Sequence, residues 1–482
     1  MSRHLFFPQL LILLALLLVI LFDIQSDILI LVLTVGLIGL WLAGAVLEPF
    51  SLLLSALALA GTVSVFSSLS ISNIPFSVNG LLVAALGAAA GLAVVVHYRQ
   101  QFRTGRQIRR WLLDSAPLVL FLGWAMVRTL DAPSLVNAIS DLLIWASIAC
   151  VYTLARAYWI AEPQRIQAGE MALVYTALLP LAVIVVDALL GNVFFNNTTT
   201  ALSLGIHTTL GVRLVPSLFG LLLAPISVQL RVERKQATWQ KWILIALTVF
   251  LCVWIFFSLS RLVLITAAGI VVPFALFQPR SLWKAALMAA LGMALSIVVI
   301  ASPLYPRPLF VSLDSIFVVD ANDNAGEGAE TQLNSEAMRG LSFGRTNVWE
   351  YLVRTALAEN LLTGHGTGAA RDYVQNAAPS WDNPHSDYIR IFFDLGLIGL
   401  AIFACAWAYK ILRLWHTWLR FAPQSPVARR TFTAFIGVGY ILVSFLTDNF
   451  LVYFFMMGPL SLLLALADAE RIHVEMHPET EL

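Results

Sequence analysis

Residues 344–400 read GRTNVWEYLVRTALAENLLTGHGTGAARDYVQNAAPSWDNPHSDYIRIFFDLGLIGL. The stretch opens polar, gathering Arg345, Trp349, His365, Asn383, His385, Asp387 and Tyr388, and then dives into an apolar run that continues to residue 409. Crossing roughly 30 Å of hydrocarbon takes about 20 mostly apolar residues in a helix. Outward from this stretch, runs of that kind recur along nearly the whole chain. They lack the period-two alternation of a membrane barrel. The expected fold class is therefore an all-α polytopic membrane protein. A polar, histidine-bearing segment hung between spans is where such a protein would act on something at the membrane surface.

Composition agrees. The 482 residues are 59% hydrophobic and 12% charged, against about 25% charged in soluble domains, and the mean hydropathy is +0.83. Cys150, Cys252 and Cys405 all lie inside apolar segments, which argues against a disulfide framework. No CxxC or HExxH pattern points to a metal, so neither metal nor cofactor is expected. MSRH and the apolar run after it lack a small-residue cleavage site and read as a retained first span.

Apolar segments fall at 5–22, 27–46, 49–69, 79–96, 114–130, 135–155, 170–190, 215–230, 241–258, 262–277, 283–301, 391–409, 430–447 and 450–467, which gives about 12–14 spans. The expected organisation is spans over 1–301, a large loop over 302–390, and further spans with a tail over 391–482. With fourteen spans both termini share a side. That side holds 20 of the 29 Lys and Arg, including every Lys, and is cytoplasmic by the positive-inside rule. These basic clusters are explained by topology and anionic lipid, and nucleic-acid binding is not supported. The opposite side receives two larger segments, 191–214 and 302–390. The second holds 11 acidic residues, concentrated in its first half, and reads there as a solvated insertion. After it, Val348, Trp349, Leu352, Ala356 and Leu357 fall on one face of an expected surface helix.

Arg213, Arg261, Arg345 and His385 all lie on this second side, where Lys and Arg are scarce. Arginine near a membrane is costly unless it meets water, carbonyls or an anion. Its planar fork suits phosphate oxygens. Blander readings stay open. Arg213 and Arg261 could snorkel from span ends, and His365 could be a plain loop residue. His385 could cap a helix, and Asp387 could be a first-turn acid favoured by the dipole. Gly396 and Gly399 read as sites of close helix packing. Asp141, Asp187, Asp394 and Asp448 sit in or beside spans, where buried acids pair or face a cavity.

Four pieces together resemble the O-antigen ligase and polymerase superfamily of bacterial membrane enzymes. They are GRTNVW (344–349), LLTGHGTG (361–368), HSDYIRIFFDLGLIGL (385–400) and SRLVLITAAG (260–269). Departures include Ser386, where the family often has Asn, and the acidic insertion near 310–340. The resemblance implies a membrane glycosyltransferase of GT-C-like fold that uses an undecaprenyl-diphosphate-linked saccharide as donor. It acts without metal at the periplasmic face of the inner membrane. The acceptor would be a sugar on lipid A core or on a lipid-linked glycan, and other polysaccharide-assembly proteins could be partners. Residue by residue, Arg213, Arg261 and Arg345 would hold the donor diphosphate, and His385 and Arg261 would be catalytic. His365, Asp387, Tyr388 and Asp448 would line the site. Alternatives are a protein O-oligosaccharyltransferase and, from a different class, a transporter or flippase of lipid-linked saccharides. Against the last stand the absence of internal repeats and the gathering of polar groups at one face.

Overall fold

A computed structural model describes residues 5–21, 26–62, 78–99, 105–178, 182, 214–232, 238–257, 261–301, 345–377, 383–446 and 448–477. Among these residues there is helix and no strand. The helices are α1 (Phe6–Leu21), α2 (Asp27–Leu47), α3 (Pro49–Thr62), α4 (Val78–Tyr98), α5 (Gly105–Arg128), α6 (Leu135–Ala161), α7 (Ile166–Tyr175), α8 (Leu214–Val232) and α9 (Thr238–Phe257). Next comes α10, α-helical over Arg261–Thr266 and Val272–Phe277 with a π turn between. It is followed by α11 (Leu282–Ala301), α12 (Arg345–Glu359), α13 (Ala369–Ala377), α14 (Asp387–Arg420), α15 (Pro426–Ser444) and α16 (Phe454–Met476). Each apolar segment read from the sequence overlaps one of them. Helices α2, α4, α6 and α14 are long and apolar enough to cross a membrane. The protein is an all-α polytopic membrane protein.

Local chemistry sets several helix starts. Ser26, Ser134 and Ser425 each accept a hydrogen bond from the backbone N–H three residues on, with Pro426 at the first helical position of α15. The middle of the bundle is α6, which packs most extensively on α4 and α16. A Cβ at Gly87 of α4 would lie 2.5 Å from Ser147 Cα of α6, so the two backbones nearly touch. Small residues permit that approach where no hydrophobic drive separates helix from lipid.

Helices α12 and α13 do not span. They lie over the bundle end where α5 finishes and α6 and α14 begin, hereafter the His385 end. On α12, Val348, Leu352 and Ala356 form the buried stripe. Leu357, expected on that face, is 57% exposed. One residue beyond Ala356 is a turn of about 100°, which carries it off the stripe.

Candidate active site

His385 stands in the turn that starts α14 and has a left-handed backbone, φ 53°. That conformation is uncommon for a residue with a Cβ and persists only when its surroundings enforce it. Here four hydrogen bonds do so. Trp349 Nε1 of α12 donates to Pro384 O at 2.6 Å. Ser386 Oγ and Asp387 N both donate to Phe445 O, at 3.3 and 3.0 Å. Asp387, fully buried, accepts from Leu451 N at 2.9 Å. Tyr388 OH then ties the first turn of α14 to Leu442 O at 2.9 Å. The result is an imidazole one quarter exposed, with Nδ1 3.5 Å from Asp448 Oδ1. The same Asp448 oxygen accepts Asn449 N at 2.9 Å, which fixes its direction. Asp387 Oδ1 and both polar atoms of the buried Asn449 side chain have no hydrogen-bond partner among the described residues. Buried polar atoms are usually paired, so hydrogen-bonding capacity is concentrated beside His385.

Trp349→Phe keeps the ring and removes the bond to Pro384 O. We expect it to cost about 1 kcal/mol and to lower turnover by allowing His385 to leave its backbone conformation. Thermal unfolding and activity measured on one preparation check this; full activity would show that the bond does not position His385.

The turn 361–368 is locked into α14. Helix α14 breaks at Gly396 (φ 70°, ψ −171°), and the turn fills the break. His365 N and Gly366 N donate to Phe393 O and Asp394 O, both at 2.9 Å. Leu397 N and Ile398 N donate back to Leu361 O and Leu362 O, at 2.9 and 3.1 Å. The expectation of close helix packing is thus corrected for Gly396, which is a backbone break. Gly399 does sit close against a helix neighbour, since a Cβ there would be 3.2 Å from the Trp124 ring.

Beneath the turn lies a buried ionic cluster. Asp394 takes Gly368 N and Ala370 N, at 3.0 and 2.6 Å, at the start of α13, as carboxylates do at helix N-termini. Arg390 pairs with Asp141 of α6 and approaches Asp394 at 3.6 Å. Arg371 of α13 reaches Asp141 at 3.4 Å and Asn137 at 3.2 Å. Asn137 in turn donates to Asp372 at 2.8 Å. Burial pushes the Asp372 carboxyl above its usual range, and the Asn137 bond partly opposes this. Charges this deep hold only while every partner is present.

The expected site residues divide into those brought together and those that are not. His385, Asp387, Tyr388 and Asp448 form one constellation. Asp387 sits in the first turn of α14 but binds the 448–453 segment through Leu451 N. His365 takes another role: it is 7% exposed, stacks on Phe393 with ring centres 4.3 Å apart, and contacts Glu359 at 3.1 Å. No described contact joins it to His385. Arg345 is the first residue of α12 and half-buried, and Arg261 is the first residue of α10. Arg213 and Asp187 lie outside the described residues, as does Gly344. Sequence reasoning missed Arg390, Arg371 and Asn137. The signal for Arg390 was present in DYIRIFFD, which places it three residues after one acid and four before another, on one helical face.

Inside the bundle, a cavity of about 140 Å³ is bounded by Phe121, Trp145, Phe403, Trp407, Leu451 and Met457. Leu451 connects it to Asp387 and the His385 end. At its other extreme Lys410 and Tyr152 both donate to Asp468.

Residues 246–404 match the family model for O-antigen ligase. The match covers 159 of the 482 residues. No curated protein matches the chain. The O-antigen ligase region runs from α9 past the break in α14 and contains Arg261, Arg345, Trp349, the 361–368 turn and His385. Asp141 and Asp448, which hold that region from outside it, lie before and after the match. The O-antigen ligase match supports a glycosyl-transfer role in the assembly of O-antigen or a related polysaccharide.

Proposed function

We propose that this protein transfers a saccharide from a polyprenyl diphosphate to an acceptor sugar hydroxyl at the non-cytoplasmic face of a bacterial inner membrane. The observation that carries the proposal is the His385–Asp448 pair, on a backbone conformation that Trp349, Phe445 and Leu451 together enforce. With Nδ1 turned to Asp448, His385 takes the proton of the attacking hydroxyl at Nε2. The new bond forms between that oxygen and the anomeric carbon. The carbon–phosphate oxygen bond breaks, and its electron pair leaves with the diphosphate. Arg213, Arg261 and Arg345 are assigned to that growing charge, which fixed guanidinium groups can stabilise without a metal. A single displacement inverts the anomeric centre. Asp448 steadies the imidazolium formed in the step, and the apolar cavity below Leu451 suits part of an isoprenoid chain. Lipid A core and a second lipid-linked glycan are the acceptors in view, which correspond to ligase and polymerase.

The test is a transfer assay with the full chain in nanodiscs, a lipid-linked donor and each acceptor in turn, with the product analysed by mass and anomeric configuration. New glycan on one acceptor with inverted configuration is expected. Retained configuration would exclude single displacement, and no product with any acceptor would exclude the transferase reading. In the same assay Asp448→Asn, which keeps shape but removes charge, is expected to lower kcat roughly ten- to a hundredfold with little change in KM.

A further inference from the structure

At the end of α14 opposite His385 lies a second cavity, of about 350 Å³, whose chemistry differs from that of the first. Arg413, His416 and Arg420 of α14 and Arg471 of α16 line it, and Glu475 is the carboxylate among them. Glu475 accepts Arg471 NH1 at 2.9 Å, and Asp468, two helical turns before Glu475, accepts from Lys410 and Tyr152. Arg413, Arg420, Arg471 and Lys410 stand against two carboxylates, Glu475 and Asp468, the second of which acts on Arg413 and Arg471 as well as on Lys410, and the hollow keeps a positive excess. A basic residue at a span end is by itself only a marker of orientation; what distinguishes the three arginines is that they border one concavity.

The C-terminal end of a helix ordinarily repels an anion, because its last carbonyls carry partial negative charge. Here a cation sits against that helix end. Arg280 donates to Trp418 O and Phe421 O and stacks on the Trp418 ring at 4.7 Å. Phe421 N donates to Thr417 O. A residue outside the cavity thus offsets part of the helix-end charge, which leaves the lining arginines to set the field. The outer rim carries Leu412, 63% exposed, and the ring of Tyr409, 38% exposed, which borders both cavities and whose hydroxyl accepts from Arg413 at 2.9 Å. A phosphate in the hollow would therefore have room for hydrocarbon beside it.

We propose that this cavity binds the phosphate headgroup of an anionic phospholipid, with its acyl chains along Leu412 and Tyr409. It is separate from the donor site, because Arg413 lies 17 residues, about 26 Å at helical rise, beyond the break at Gly396, with Asp387 on the other side of that break. Basic pockets between spans at the cytoplasmic side suit such headgroups.

The experiment is native mass spectrometry of the full chain titrated with phosphatidylglycerol or with phosphatidylcholine of the same acyl chains, plus an arm with inorganic phosphate alone. The wild type is expected to retain one phosphatidylglycerol in preference to phosphatidylcholine. Arg413→Gln combined with Arg420→Gln should weaken that retention about thirtyfold, whereas Arg413→Lys with Arg420→Lys, which keeps the charge, should largely preserve it. Equal retention of the two lipids, or undiminished retention by the Gln pair, overturns the proposal. Displacement of the lipid by millimolar inorganic phosphate overturns the assignment to a lipid and assigns the hollow to a free anion.

Discussion

His385→Ala is expected to lower saccharide transfer by two to four orders of magnitude, the usual worth of a positioned general base. The fold should survive, because the backbone around His385 is held through Pro384 O, Ser386, Asp387 and Trp349, and the imidazole contact with Asp448 is a long one at 3.5 Å. His385→Gly sharpens the test. Glycine adopts φ 53° without steric cost, so this variant should unfold at a higher temperature, by the equivalent of about 1 kcal/mol, and yet be as inactive as the alanine form. A residue present only to cap α14 would show no such opposition of stability and turnover. Arg261→Ala in the same assay should also abolish transfer if its guanidinium meets the leaving diphosphate. If both variants keep wild-type rates, the assignment of His385 and Arg261 fails.

Gly396→Ala should be one of the most damaging single methyl additions among the described residues. A Cβ there would stand 2.3 Å from Leu362 O and 2.5 Å from Gly364 N, both backbone atoms with nowhere to go. The conformation itself, φ 70° with ψ −171°, is one that essentially only glycine adopts, at a cost of order 1–3 kcal/mol to other residues. With the clash added, a loss of roughly 3 kcal/mol or more is expected. It should be read as a lower unfolding temperature and as new protease cleavage within 360–377. Gly123→Ala on α5 is the control, since a Cβ there meets nothing within 4 Å. If the two substitutions behave alike, the turn does not depend on the break.

The architecture was legible because a bilayer imposes length and apolarity on every spanning helix, and both are written locally. His385 was legible as well, since PHSDY ahead of an apolar run places a polar turn at a span end. The links between distant segments were not. Arg390 and Asp141 are 249 residues apart, and no local pattern names which buried acid a buried base will meet. Two histidines in polar turns were both expected at the site, His385 as catalytic and His365 as lining, but His365 lies flat on Phe393 while His385 faces Asp448. Gly396 was misread for a related reason. A glycine that lets helices approach and one that breaks a helix are identical in LGLIGL until the turn at 361–368 is laid against it.

That mutual fit of turn and break constrains how the chain is made. Residues 361–366 leave the ribosome some thirty residues before 393–398, the backbone they pair with. The turn therefore cannot take its shape while it is being synthesised; it waits until α14 has been threaded into the bilayer. Cut out as a soluble fragment, it would lose the four backbone hydrogen bonds that tie it to α14. The loop and the span form one cooperative unit, assembled late and across the boundary between water and lipid.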